Sequence, residues 1–385
     1  MRIIARILIF TVTLGSRVHI FAAILFLSLL ATTATAQQTE SAYDQLWSRA
    51  RLYSGTESTP VQSVVLSGRL QFDQANLDSG SEDHAEFNLR RFRFGLKVGF
   101  LENFTFHSEG EFDPQDGNPA YRRLTDTYVA WSPNEALELT IGKQGVAFTM
   151  DGQTSSKELL AIDRSNLTNN IWFTEEYIPG ISVGGEKNTL IYNVGYFSAG
   201  EKDRDFGKFD GNRFVLATIG HDFADAFGVD EAVLSFNFVD NEAGSKNSFT
   251  KPLERVTSVN FSFESGRWGL RSDLSAAQGY LGQSDLQGFM LMPYLNLNDK
   301  LQLVGRVTYI DSDGNNGVRF ARYESEIEGG RGDEYSEAYA GMNYYLYGHK
   351  LKLQTGLQYA DMNDRAADGG AYTGWSWITG LRISW

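Results

Sequence analysis

The chain has 385 residues and not one cysteine. That excludes disulfides, thiol nucleophiles and thiolate metal ligands. Histidine is scarce, and none of His19, His84, His107, His221 and His349 has the spacing of metal ligands. No G-x-S-x-G, no H-E-x-x-H and no glycine-rich phosphate loop ahead of a helix occurs. His107 falls on the polar side of a strand, where its parity makes it a plain inward-facing residue. These absences argue against an enzyme and against a cofactor or metal. Basic charge is also short: a net charge of −14 speaks against nucleic acid as a partner. Beyond Gln37 no apolar run approaches the ~18 residues of a membrane-spanning helix.

The N-terminus has what the rest lacks. Met1 to His19 carries Arg2, Arg6 and Arg17 and no acid, and Ile20 to Leu30 is apolar except for Ser28. Ala34-Thr35-Ala36 then precedes Gln37. A basic stretch, an apolar core and an A-x-A site predict a cleaved export signal over 1–36. Its removal takes the charge from −14 to −17, through the three arginines. Residues 37–60 are expected to form a short periplasmic segment, with an amphipathic helix over 43–53, and 61–385 a barrel.

From about residue 62 the hydrophobic period is two. Phe92, Phe94, Leu96, Val98 and Phe100 alternate with Arg91, Arg93, Gly95, Lys97 and Gly99. Trp375, Trp377, Thr379, Leu381, Ile383 and Trp385 share one face of the last segment. The apolar face turns aromatic toward the strand ends, as rings at lipid headgroups do. The other face reads as Arg, Lys, Gln, Ser and Gly rather than a second apolar core. About sixteen strands follow, from 62–74 to 371–385, joined by alternately short and long connections. The short ones fall near 101–102, 133–134, 187, 265, 298 and 347; those near 223–228 and 279–283 are intermediate. This is the pattern of an all-β, transmembrane antiparallel barrel of the Gram-negative outer membrane, its short turns periplasmic and its chain ending on an aromatic.

Basic residues on the inner face carry the functional signal. Arg69 points inward with Ser67 and Gln71, and Arg91, Arg93 and Lys97 point inward on the next strand. The longest connection, 144–175, exceeds an ordinary loop and is expected to fold into the lumen. It brings Ser155, Ser156, Lys157 and Arg164, and guanidinium with hydroxyl donors suits an oxyanion. Glu109 and Glu111, inward by parity, are placed to neutralise Arg91 and Arg93, which would leave generic lumen lining instead. The acids Glu324, Glu326, Glu328, Asp333 and Glu334 read as a solvated face, or as divalent-cation sites beside lipopolysaccharide.

At these residues the sequence resembles the phosphate-selective porin O and P family. The matching pieces are Gly68-Arg69-Leu70-Gln71, Leu89-Arg90-Arg91-Phe92, Phe112-Asp113, Leu124-Thr125-Asp126-Thr127-Tyr128-Val129 and Leu139-Thr140-Ile141-Gly142-Lys143. Thr154-Ser155-Ser156 and Ala161-Ile162-Asp163-Arg164-Ser165-Asn166-Leu167 complete the order. The resemblance implies a trimeric sixteen-stranded barrel passing small anions, phosphate or polyphosphate foremost. It puts Arg69, Arg90, Arg91, Ser155, Ser156 and Arg164 at the anion site, with Asp126 nearby. Two features depart from the family pattern: Gly152-Gln153-Thr154 replace a lysine ahead of the serine pair, and Gly145 stands where an aromatic narrows the channel. The alternative reading is a general diffusion porin without phosphate selectivity.

Overall fold

The computed structural model describes residues 41–115 and 119–385. The expected signal peptide, 1–36, lies outside the described residues. The chain divides into a unit Met1–Gln45 and a unit Leu46–Trp385. At the end of the first, Ser41 and Asp44 cap reciprocally, Asp44 N donating to Ser41 Oγ and Ser41 N to Asp44 Oδ2, each 3.1 Å. They start helix α1 (Ala42–Ser48), which buries no residue. The expected helix over 43–53 is therefore cut short. Arg51–Ser54 instead forms a strand against Ser63–Val65, where an extended segment offers paired backbone groups.

Sixteen antiparallel strands close the second unit into a barrel. They are β1 (Val61–Asp78), β2 (Asp83–Phe100), β3 (Phe104–Phe112), β4 (Tyr121–Asn134), β5 (Leu137–Gly145), β6 (Tyr177–Lys187), β7 (Leu190–Ser198) and β8 (Arg213–Asp222). Then follow β9 (Glu231–Asn241), β10 (Leu253–Ser265), β11 (Trp268–Gly279), β12 (Leu286–Asn298), β13 (Leu301–Ser312), β14 (Glu334–Tyr347), β15 (Leu351–Asn363) and β16 (Tyr372–Ser384). Each pairs with its neighbour in sequence, and β16 returns to β1 with Ser384 opposite Arg69 and Trp375 opposite Asp78. The sixteen strands thus close on themselves, which is what lets strands cross a membrane with their backbone groups bonded.

The strands run as the alternation predicts, and two connections differ. The expected long loop at 75–85 shrinks to a turn over 79–82, where Ser79 Oγ accepts from Glu82 N at 3.0 Å. The intermediate 223–228 connection belongs to the short-turn end and holds a one-turn helix (Ala224–Phe227) closed by Gly228 at φ 66°. Leu274 and Ile219 point outward and are exposed, as a lipid-facing wall requires.

The inner face departs from the all-polar expectation over β8–β13. Leu216, Val239, Val256, Met290, Met292, Val304 and Ile310 point inward and are buried. The connection 146–176 folds into the lumen, as expected, and sets Val146, Phe148, Leu167 and Ile171 against them. An apolar core thus fills the space between this stretch of wall and the loop. There the alternation gives way to runs such as Phe289-Met290-Leu291-Met292, with apolar side chains on both faces.

The tyrosine ring of Tyr339 on β14 lies across Gly341 and Gly356, where a Cβ at either glycine would collide with it. We expect Gly356→Ala to cost about 1–3 kcal/mol by overpacking, read as a lower melting temperature of the detergent-folded barrel. In a Tyr339→Leu background the alanine should cost little.

Candidate solute-binding site in the lumen

The site is built on β1–β4 and the inserted loop. Arg69 and Arg93 face each other in register, as do Gln71 and Arg91. The register slips between Gln71 and Phe72, which pair with Arg91 and Leu89. Arg90 is therefore the extra residue of a β-bulge, and both members of the Arg90-Arg91 pair reach the lumen. Arg90 Nη2 lies 3.3 Å from Asp163 in the loop, and Arg91 Nη1 donates to Gln71 Oε1 at 2.9 Å.

Most cations here are matched by acids. Arg69 pairs with Glu109 at 3.4 Å and donates to Ser156 Oγ. Arg93 pairs with Glu111 and Glu176, both at 3.1 Å, and donates to Tyr177 Oη. Arg123 pairs with Glu111 at 2.7 Å and with Glu175. Arg164 pairs with Glu176 at 3.0 Å while its guanidinium lies over Trp172. Glu109 and Glu111 therefore neutralise Arg69, Arg93 and Arg123. Arg91, expected to be matched, has no ion pair among the described residues.

The sequence-derived set does not converge on one point. Arg69 and Ser156 meet, and Gln71 Nε2 also donates to Ser156 O at 2.9 Å. Ser155 Oγ accepts from Lys157 N at 3.3 Å and so shapes the loop. Lys157 Nζ donates to Trp385 O at 3.1 Å, and Lys97 is exposed. Asp126 lies beside His107, 3.9 Å away and beyond a hydrogen bond, and accepts from Gly145 N at 3.4 Å. Arg164 turns away from Ser156, donating to Asp151 O and Thr154 O at 2.8 and 3.1 Å.

Two cavities share Arg90, Arg91 and Asn169. The larger, about 530 Å³, is lined by the basic side chains Arg90, Arg91, Arg93, Arg123, Lys251 and Arg319 against two carboxylates, Glu111 and Glu176. The smaller, about 310 Å³, is mixed: besides the shared Arg90 and Arg91, Arg164, Arg306 and Arg322 face Asp163, Glu324 and Glu337. Lys251 and Arg319 come from the outer connections 242–252 and 313–333, which sequence reasoning passed over. Only their basic character was visible, and nothing in the alternation carries a loop residue into the lumen. Burial and neighbouring Arg319 hold the Lys251 amine well below the ordinary lysine range. Burial and Arg331 bring Arg319 down to about 10.

A profile of the phosphate-selective porin O and P family matches residues 64–258. No curated protein matches the chain. Among solved structures, the outer membrane channel DcaP of Acinetobacter baumannii is 14% identical at a TM-score of 0.56, over 86% of this chain and 100% of that one. OmpT of Vibrio cholerae is 14% identical at 0.54, over 85% and 99%. OprB of Pseudomonas putida is 11% identical at 0.58, over 84% and 94%. At these identities the likeness is one of fold.

The connection 313–333 also enters the barrel. Tyr323 Oη donates to Asp73 Oδ2 at 2.6 Å. Glu324, expected on a solvated face, is buried, as is Asp333, while Glu326 stays exposed. Glu324 accepts from Tyr335 Oη at 2.8 Å, Gln358 Nε2 at 3.0 Å and Ala321 N at 3.1 Å. Burial, with repulsion from Glu337, raises its carboxyl from 4.5 to about 7. A raised carboxyl favours the seated loop in its protonated form, so seating is strongest below the ordinary value and weakens as pH rises through about 7. Tryptic cleavage within 313–333 should be faster at about pH 8 than at about pH 5, measured relative to Glu324→Gln, whose seating should not respond to pH.

Proposed function

The chain belongs to the phosphate-selective porin O and P family, and on that footing we propose that this outer-membrane porin passes small oxyanions, phosphate or polyphosphate foremost. The observation carrying this reading is the lining of the larger cavity, six basic side chains against two carboxylates. A concave, low-dielectric wall of one sign raises the local concentration of the opposite ion. Arginine replaces part of an oxyanion's hydration with donors in a fixed fork. Nothing here needs a covalent step: the channel lowers the barrier to crossing by exchanging water for protein donors.

The remaining assignments complete the proposal. Residues 1–36 direct export and are removed, 37–60 lie in the periplasm, and 61–385 form the barrel, with the long connections outside against lipopolysaccharide. The working unit is a homotrimer; an OmpT of Vibrio cholerae was solved in a trimer form. The second reading, a general diffusion porin, draws on the acids Glu111, Glu175 and Glu176 that match Arg93, Arg123 and Arg164.

Reversal potential of the purified mature protein in a planar bilayer, under a KCl gradient, separates the two. Reversal on the chloride side, with phosphate reducing the chloride current and Arg91→Gln weakening that block, is the expected result. Reversal on the potassium side without a phosphate effect assigns the protein to the general class.

A further inference from the structure

The larger cavity holds three basic side chains with no carboxylate partner among the described residues: Arg91, Lys251 and Arg319. They come from three separate stretches, namely the β2 wall, the connection 242–252 and the connection 313–333. What gathers the last two is a short helix of the inserted loop, Asn166–Ile171. Lys251 Nζ donates to Asn169 O. The next residue, Asn170, clasps the backbone of Arg319 at two points: its Oδ1 accepts from Arg319 N at 2.8 Å and its Nδ2 donates to Arg319 O at 3.1 Å. Asn166 Nδ2 adds a third contact to the same carbonyl at 2.9 Å. The opposite side of the helix, Leu167 and Ile171, is sunk in the apolar core, so the helix is a fixed post.

We propose that Asn169 and Asn170 hold Lys251 and Arg319 as a loop-borne anion station facing Arg91. A small, multiply charged oxyanion would rest there before passing the inserted loop. The proposal deepens the anion-porin reading and rests on it. Its physical basis is the difference between matched and unmatched basic side chains. Arg93, Arg123 and Arg164 already donate to glutamates and would have to break those contacts to hold a solute. Arg91 donates to the neutral Gln71, and Lys251 to a backbone carbonyl. The Arg319 guanidinium has no hydrogen-bond partner among the described residues. These three can turn to a solute without leaving an acid unpaired in the lumen. Burying like charges side by side is unfavourable on its own, and an oxyanion between them relieves that repulsion.

The test uses the full mature porin in a planar bilayer, with inorganic phosphate as the probe of chloride current. The half-blocking phosphate concentration should rise about tenfold in Lys251→Gln and in Arg319→Gln, each of which removes one charge-assisted donor. Lys208→Gln removes an exposed loop lysine paired with Glu201 and controls for charge at the same end of the barrel. It should leave the block unchanged. Asn170→Ala removes no charge but frees Arg319, and should weaken the block in the same direction. Each variant is checked for the heat-modifiable, folded band before recording. If wild type prefers chloride and is blocked by phosphate while these variants match it, the station is wrong and the anion reading stands. If wild type prefers potassium and phosphate does nothing, the anion reading itself falls. If Lys208→Gln shifts the block as much as Lys251→Gln, the effect is general surface charge and the station is again overturned.

Discussion

A loop folded inside a closed barrel leaves its peptide carbonyls away from bulk water, and each must find a donor. Much of the lumen follows from that demand. Lys352 Nζ donates to Leu159 O at 2.7 Å, and Gln354 Nε2 to Leu159 O and Leu160 O at 3.0 and 3.2 Å. Asn343 Nδ2 reaches Leu160 O at 2.8 Å, Arg382 reaches Ile162 O at 3.3 Å, and Arg306 reaches Asp163 O at 2.7 Å. The long polar side chains of β13–β16 therefore act chiefly as hooks for main chain. On the far side the same loop is held mainly by the apolar inner face of β8–β13, with Asp273 on β11 accepting from Met150 N at 2.8 Å. Hooks on one flank and oil on the other fix its position across the lumen.

Once the loop is fixed, the electrostatics of the passage are set by subtraction. Wall cations facing the loop's carbonyls or a glutamate are committed, and those facing neither remain available. Arg306 shows the first case, with Glu337 at 2.6 Å and the loop carbonyl as its partners. Arg91 shows the second, because the bulge at Arg90 lets its neighbour take Asp163. An anion-attracting surface therefore arises beside arginines that are purely structural, in the same register and of the same residue type. Counting inward arginines would overstate the usable charge several-fold.

The two deeper connections add a control that a bare barrel lacks. Residue 251 and the segment 313–333 reach the same helix of the inserted loop, so the cavity has a roof as well as a wall. The roof is held by asparagine to backbone and by tyrosine to the Asp73 carboxylate, together with a buried Glu324 whose carboxyl sits near neutrality. Such contacts are individually modest in net stability. Seating of the roof therefore rests on a small set of side-chain contacts, one of which titrates near neutrality.

The sequence alone determined the barrel. A period of two recurring between Val61 and Ser384 allows few other solutions, the alternation of connection lengths orients it, and the length of 144–175 announces an inserted loop. Parity also placed Arg69, Arg91 and Arg93 inward, because a pleated strand leaves no choice of face. Only the tertiary structure decided which of them are free. That depended on a one-residue bulge at Arg90, on the loop acids Asp163 and Glu176 arriving from far along the chain, and on Lys251 and Arg319 being drawn in by Asn169 and Asn170. Local periodicity reports the direction of a side chain. Its partner is fixed by where separate segments meet, and that meeting is written in packing across the lumen rather than in any stretch of sequence.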